Sequence, residues 1–106
     1  MERIMKCINK NISDSDFNVE RLTQEVGISR VQLHRKMKEL TGISTSEFIR
    51  NIRLEQAARL LKEQKINVTQ VAYTVGFSNL GYFSTIFRKH FGVSPRSFVS
   101  DAPDEV

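Results

Sequence analysis

Five basic side chains crowd into residues 30 to 38: Arg30, His34, Arg35, Lys36 and Lys38. A guanidinium presents a planar fork of donors that matches O6 and N7 of guanine, so Arg35 is the candidate for reading a base edge. The cationic heads of Arg30, Lys36 and Lys38 suit phosphate oxygens, contacts that position a duplex without specifying it. Val31 can meet a thymine methyl, and Gln32 or His34 can donate to a base or a phosphate. A second group, Gly81, Ser84, Thr85, Arg88 and Lys89, has phosphate-binding cations but no Arg, Asn or Gln at its central positions. It is expected to add more affinity than specificity. Other chemistry is poorly served. The two histidines are far apart and Cys7 has no CxxC or HxxxH partner, so no metal and no cofactor is expected. Without clustered carboxylates or an activated nucleophile, no catalytic residue is assigned and an enzyme is not expected.

What must position these side chains is written twice. Val19 to Ser29 recurs as Val68 to Ser78, with Val19 and Val68, like Gly27 and Gly76, 49 residues apart. After one inserted residue the match resumes 50 apart, pairing Leu33 with Phe83, Met37 with Phe87 and Gly42 with Gly92. Each copy reads as a short helix, a glycine turn and a longer helix, the arrangement that carries a reading helix into a DNA major groove. Val31, Arg35 and Lys38 fall opposite the buried stripe expected from Leu33, Met37 and Leu40. In the second copy Phe83, Ile86, Phe87 and His90 are expected inside, leaving Gly81, Ser84, Thr85 and Arg88 outward.

Caps set the element boundaries. Helices are expected over 2–12, 19–26, 30–40, 45–64, 68–75, 79–91 and 95–99. Asn18 is an N-cap; Ser29 with Gln32, Ser44 with Glu47 and Asn67 with Gln70 spell capping boxes. Gly76 and Ser78 turn the chain into the helix over 79–91, and Ser94 before Pro95 opens the last helix. With no alternating strand pattern the fold class is all-α, seven helices. The helix over 45–64 carries two opposed apolar stripes, Phe48, Ile49, Ile52 and Leu60 against Leu54, Ala57, Ala58 and Leu61. Such a helix belongs between two lobes, and its length of roughly 30 Å approaches one turn of B-DNA, about 34 Å. The expected organisation is a first lobe over 1–43, a connector over 44–66, a second lobe over 67–99 and a flexible tail over 100–106.

Bulk properties agree. The 106 residues carry a net charge of +4, and from Asn67 to Val99 there is no Asp or Glu. A lone cysteine forbids an internal disulfide and suits a reducing compartment. No apolar run approaches the roughly 20 residues of a membrane span, and the start is too mixed for a signal peptide. The expected location is cytoplasmic, on the nucleoid, without membrane contact by this segment.

These residues resemble the C-terminal DNA-binding domain of the AraC/XylS family of bacterial transcription regulators. The second copy carries Val71-Ala72, Val75-Gly76-Phe77-Ser78, Tyr82-Phe83-Ser84, Phe87-Arg88-Lys89, Phe91-Gly92 and Ser94-Pro95. The first carries Leu22, Gly27-Ile28-Ser29, Leu33-His34-Arg35-Lys36 and Gly42, and the connector Ile52-Arg53, Ala57 and Leu60-Leu61. The resemblance runs from about Asn18 to Val99. It implies a long fourth helix joining two helix-turn-helix units that enter successive major grooves on one face of double-stranded DNA. It implies base reading by Val31, His34 and Arg35 and by Leu80, Gly81, Ser84 and Thr85; Leu80 comes from the resemblance alone. Gly81, and Phe98-Val99 in place of a common aromatic-Arg ending, depart from the family pattern.

The first copy is also similar to output domains of hybrid two-component regulators. That similarity implies a sensory or receiver domain elsewhere in a longer chain, with Met1 not its natural start and the helix over 2–12 as a junction. The function expected is a sequence-specific DNA-binding output domain that activates transcription through contact with RNA polymerase. The alternative is a helical protein-interaction module that no longer reads DNA.

Overall fold

The computed structural model describes residues 2–101, with side chains through Val99. Within them lie α1 (Glu2–Asn11), α2 (Val19–Val26), α3 (Arg30–Thr41), α4 (Thr45–Glu63), α5 (Val68–Thr74), α6 (Leu80–Phe91) and α7 (Pro95–Asp101), and no strand. The last helix runs two residues beyond its expected end. The rest of the expected tail, 102–106, lies outside the described residues.

Local chemistry starts and stops these helices largely as the sequence spells it. Asn18, Ser29, Ser44 and Asn67 each accept a backbone N–H of the first turn, and the two boxes Ser29–Gln32 and Asn67–Gln70 close in both directions. The Ser44–Glu47 pair shows the serine half of its box. At α6 the cap is Asn79, whose Oδ1 accepts from the Tyr82 amide at 2.7 Å, and not Ser78. An Asn in extended conformation can do what the serine does, and the inserted residue between the two copies shifts the cap by one.

Hydrophobic burial divides the molecule into two cores. Ile4, Ile8 and Ile12 from α1 and its end, Phe17, Leu22, Val26, Leu33, Met37 and Ile49 form the first. Leu54, Ala57, Ala58, Leu61, Val71, Ala72, Val75, Phe77, Phe83 and Phe87 form the second. In the second core an aromatic chain links Phe77 to Phe83 at 5.0 Å, Phe83 to Phe87 at 5.6 Å and Phe87 to Phe98 at 5.4 Å, in the tilted and edge-on geometries that ring quadrupoles favour. The molecule is elongated, 47 × 25 × 24 Å, as two side-by-side cores require.

The connector α4 serves both cores, though not quite as its wheel suggests. Phe48, Ile49 and Ile52 pack on the first and Leu54, Ala57, Ala58 and Leu61 on the second. Leu60, expected on the Ile49 side, joins the second core instead. By that point α4 has left the first lobe, and α5 and α7 wrap it more broadly than one stripe. Two other expected core residues are exposed. Leu40 is 55% exposed because it ends α3 beyond the reach of the first core, and His90 stands outward with its ring edge-on to Phe91 at 4.6 Å. Tyr82 lays its ring 6.2 Å from Phe77 yet stays half exposed, as does Tyr73. Cys7, half-buried on α1, donates its thiol toward Glu25 at 3.5 Å, and burial followed by that carboxylate pushes its pKa up.

The α1–α2 loop is held by charge. Arg21 donates to Asp14 Oδ2 at 2.6 Å and to Asn11 Oδ1 at 3.3 Å, and its guanidinium lies 5.6 Å from the Phe17 ring. The Arg21 hydrogen bond, and then the Asp16 amide, hold the Asp14 carboxyl below the usual carboxylate range.

Two outcomes follow for stability. Phe83→Ala is expected to lose about 3–5 kcal/mol, whereas Leu40→Ala, at the open end of α3, should change stability by less than about 0.5 kcal/mol; urea denaturation measures both. Because folding depresses the Asp14 pKa, its contribution is present above the unfolded value and disappears as pH falls through the folded one. The gap in urea midpoint between the parent and Asp14→Asn should therefore be open at neutral pH and close in acid.

Candidate nucleic-acid interface

A helix that enters a groove must be held from behind by few residues and left open elsewhere. Of the twelve residues of α3 only Leu33 and Met37 are buried. Arg30, Val31, Gln32, His34, Arg35, Lys36 and Lys38 are all exposed, Val31 by 66%. An ordinary surface helix buries three or four positions in two turns. Two anchors fix the helix while leaving most of its circumference bare. Gly27 provides the sharp entry, in the left-handed region at φ +82° with its amide donating to the Thr23 carbonyl.

The first turn constrains what each side chain can do. Gln32 donates its backbone N–H to Ser29 Oγ at 3.1 Å, and its own Oε1 accepts from the Ser29 amide at 3.1 Å. That bond takes one of the oxygen's two lone pairs and fixes the orientation of the amide, leaving the NH2 as the free donor of Gln32. Arg35 and His34 have no hydrogen-bond partner among the described residues.

On α6 the picture differs. Gly81, Thr85, Arg88 and Lys89 are exposed, Ser84 is half-buried, and Leu80 is half-buried against the second core. The Thr85 hydroxyl donates to the Gly81 carbonyl at 3.0 Å, leaving it an acceptor toward solvent. Leu80, the first residue of α6, is partly covered by the second core, which explains why face arithmetic on exposed residues does not select it.

A continuous surface joins the two reading helices. A small groove lined by Arg30 and His34 of α3 and Ser44, Thr45 and Ser46 of the next turn shares Val19 and Ser46 with a larger one of about 410 Å³. The larger groove continues past Asn18, Arg50 and Arg53 to Ser78, Asn79 and Tyr82 at the start of α6. Neither groove is lined by a carboxylate. The two grooves thus run together from the first turns of α3 to the start of α6, and the residues lining them are neutral or basic. Arg50 and Asn79, which line this groove, have no role in the sequence pattern, and Asn18 has only that of a cap. Arg50 sits between the two apolar stripes of α4, and its place on neither stripe was the available signal.

This fold and this surface define a double helix-turn-helix DNA-binding domain. The helix-turn-helix domain family matches residues 22–101. Histidine kinase P4 of Formosa agariphila is 39% identical over 98 residues, 92% of this chain and 7% of that protein. The HTH-type transcriptional activator RhaS of Escherichia coli O139:H28 is 36% identical over 81 residues, 76% of this chain and 29% of that protein. The DNA-binding domain of AdpA, a global transcriptional factor solved in complex with a target DNA, superposes with a TM-score of 0.84 at 27% identity, covering 92% of this chain and 86% of that one. The chain belongs to the AraC/XylS family of transcription regulators, as a DNA-binding domain. It spans less than a third of the length of the two curated relatives. No helix among the described residues is long and apolar enough to cross a membrane.

Since the caps aim both helix-turn-helix units, their loss is measurable without DNA. Ser29→Ala and Asn67→Ala should each lose about 1 kcal/mol of stability in urea denaturation, with Ser29→Gly losing only a few tenths.

Proposed function

We propose that this chain is the DNA-reading output domain of a longer bacterial regulator that activates transcription, with α3 and α6 in successive major grooves of one duplex. The observation that carries this reading is the bare α3, two anchors with every other residue from Arg30 to Leu40 exposed, linked to the start of α6 by grooves that no carboxylate lines.

In this reading Arg35 reads a guanine, Val31 packs on a thymine methyl, and His34 and the free amide of Gln32 donate to bases. Leu80, Gly81, Ser84 and Thr85 form the second contact, where an exposed glycine lets the duplex approach the α6 backbone closely. Arg30, Lys36, Lys38, Arg88 and Lys89 neutralise phosphates and release counterions. The domain acts in the cytoplasm, where it meets both the duplex and RNA polymerase. The similarity to a histidine kinase supports a two-component system, whose sensory or receiver part would join at α1. The similarity to RhaS, an activator, supports recruitment of RNA polymerase over simple occlusion.

Electrophoretic mobility shift at several salt concentrations, on selected and random duplexes, tests the assignment. Arg35→Ala is expected to lose about 1–3 kcal/mol on the selected site and to relax one base pair. Lys38→Ala or Arg88→Ala should weaken all duplexes alike and reduce the salt slope by about one. Equal losses on both duplexes for Arg35→Ala would remove its base-reading role. No binding to random duplex even at low salt would favour the protein-interaction module instead.

A further inference from the structure

Each lobe is attached to α4 by apolar contacts, which are strong but carry little direction. Something directional must hold the two lobes at one angle, and the structure shows a candidate at their junction. Arg53, on α4, reaches back to the loop of the first lobe and donates to the carbonyls of Asp14 at 2.9 Å and Phe17 at 3.5 Å. Its Nε, buried and without a hydrogen-bond partner among the described residues, faces the second lobe. There Gly76 lies buried at φ +97°; a Cβ on it would stand 2.8 Å from that Nε and collide with the Ile12 carbonyl oxygen. Loop, guanidinium and glycine turn are stacked with no room for one more carbon.

We propose that Arg53 is a positioning residue that latches the first-lobe loop onto the second-lobe turn, and so fixes the distance and phase between α3 and α6. On the DNA-reading function proposed above, the consequence is selectivity for one spacing between the two contacted half-sites. Arg53 touches no base in this account. A planar guanidinium can hold two carbonyls on one side and lie flat against the glycine turn on the other. Both carbonyls are met by the one Nη2, so a lysine can keep a charged donor there but has no planar group to lie against the glycine turn, and a methionine fills the space without donors. Every side chain at 76 would displace the stack, so both the arginine and the glycine are required.

The experiment has two arms, each on the parent, Arg53→Lys and Arg53→Met, with circular dichroism confirming the helices. In the first, spin labels replace the exposed Gln24 and Thr69 in a Cys7→Ser background, and their distance distribution is measured without DNA. The parent should give one narrow distance, Arg53→Lys a broader one and Arg53→Met the broadest. An unchanged width in a folded variant overturns the latch, and if Arg53→Met does not fold, Arg53→Lys decides. In the second, each protein selects from a pool of random duplexes. The variants should enrich the same two elements as the parent, with discrimination between the best and the next spacing reduced about tenfold, within the usual range of coupling between two sites. Variants that discriminate between the best and the next spacing as sharply as the parent overturn the proposal. A parent that enriches no sequence sinks the DNA reading, and the spin-label arm still decides the latch.

Discussion

Both cores of this protein are built on one helix. Ile49 belongs to the first and Leu54, five residues later, to the second, so α4 changes allegiance within about one and a half turns. Neither lobe has enough apolar surface of its own to dispense with it. The first has three short helices and the second two plus α7, and each closes its cluster only with residues from α4. That sharing turns two small helical units into a single body. It explains why α4 has apolar residues nearly all round and yet remains a surface helix over part of its length.

The shared helix has a further effect on the reading elements. Since α4 supplies the back of each core, α3 and α6 need contribute only Leu33 and Met37, or Phe83 and Phe87, as deeply buried anchors. The remaining faces are released for solvent or a ligand. In the second lobe the anchors are aromatic and larger, and further rings from Phe77, Phe91 and Phe98 surround them. The first lobe gains its volume from α1, which has no counterpart in the second. The two units are thus equivalent in the turn and the reading helix and unlike in how they are supported.

Much of this was legible in the residues. The recurring Gly-x-Ser turn, the capping boxes and the apolar periodicity placed all seven helices within two residues, because caps and glycine turns act locally. Failures arose where a neighbour outside the window decided. Leu40 has the right phase to be buried but lies beyond the core, and Leu60 has the phase of the first lobe but the environment of the second. His90 shows the same limit: position on a wheel says which way a side chain points, not whether anything is there. The Asn79 cap was hidden by the repeat itself, since an inserted residue moved it away from the place that its serine counterpart occupies. Arg53 stood in the family resemblance without a role, because a contact across 39 residues of chain leaves no periodic trace.

The capping box at Ser29 and Gln32 divides the exposed positions of α3 into two kinds. Gln32 is committed to starting the helix, so replacing it would also loosen the first turn. Val31, His34 and Arg35 face outward with no such internal duty among the described residues. Substitution at these three positions leaves the cap and the two anchors of α3 in place, so the chemistry of its exposed face is free to vary on an unchanging frame.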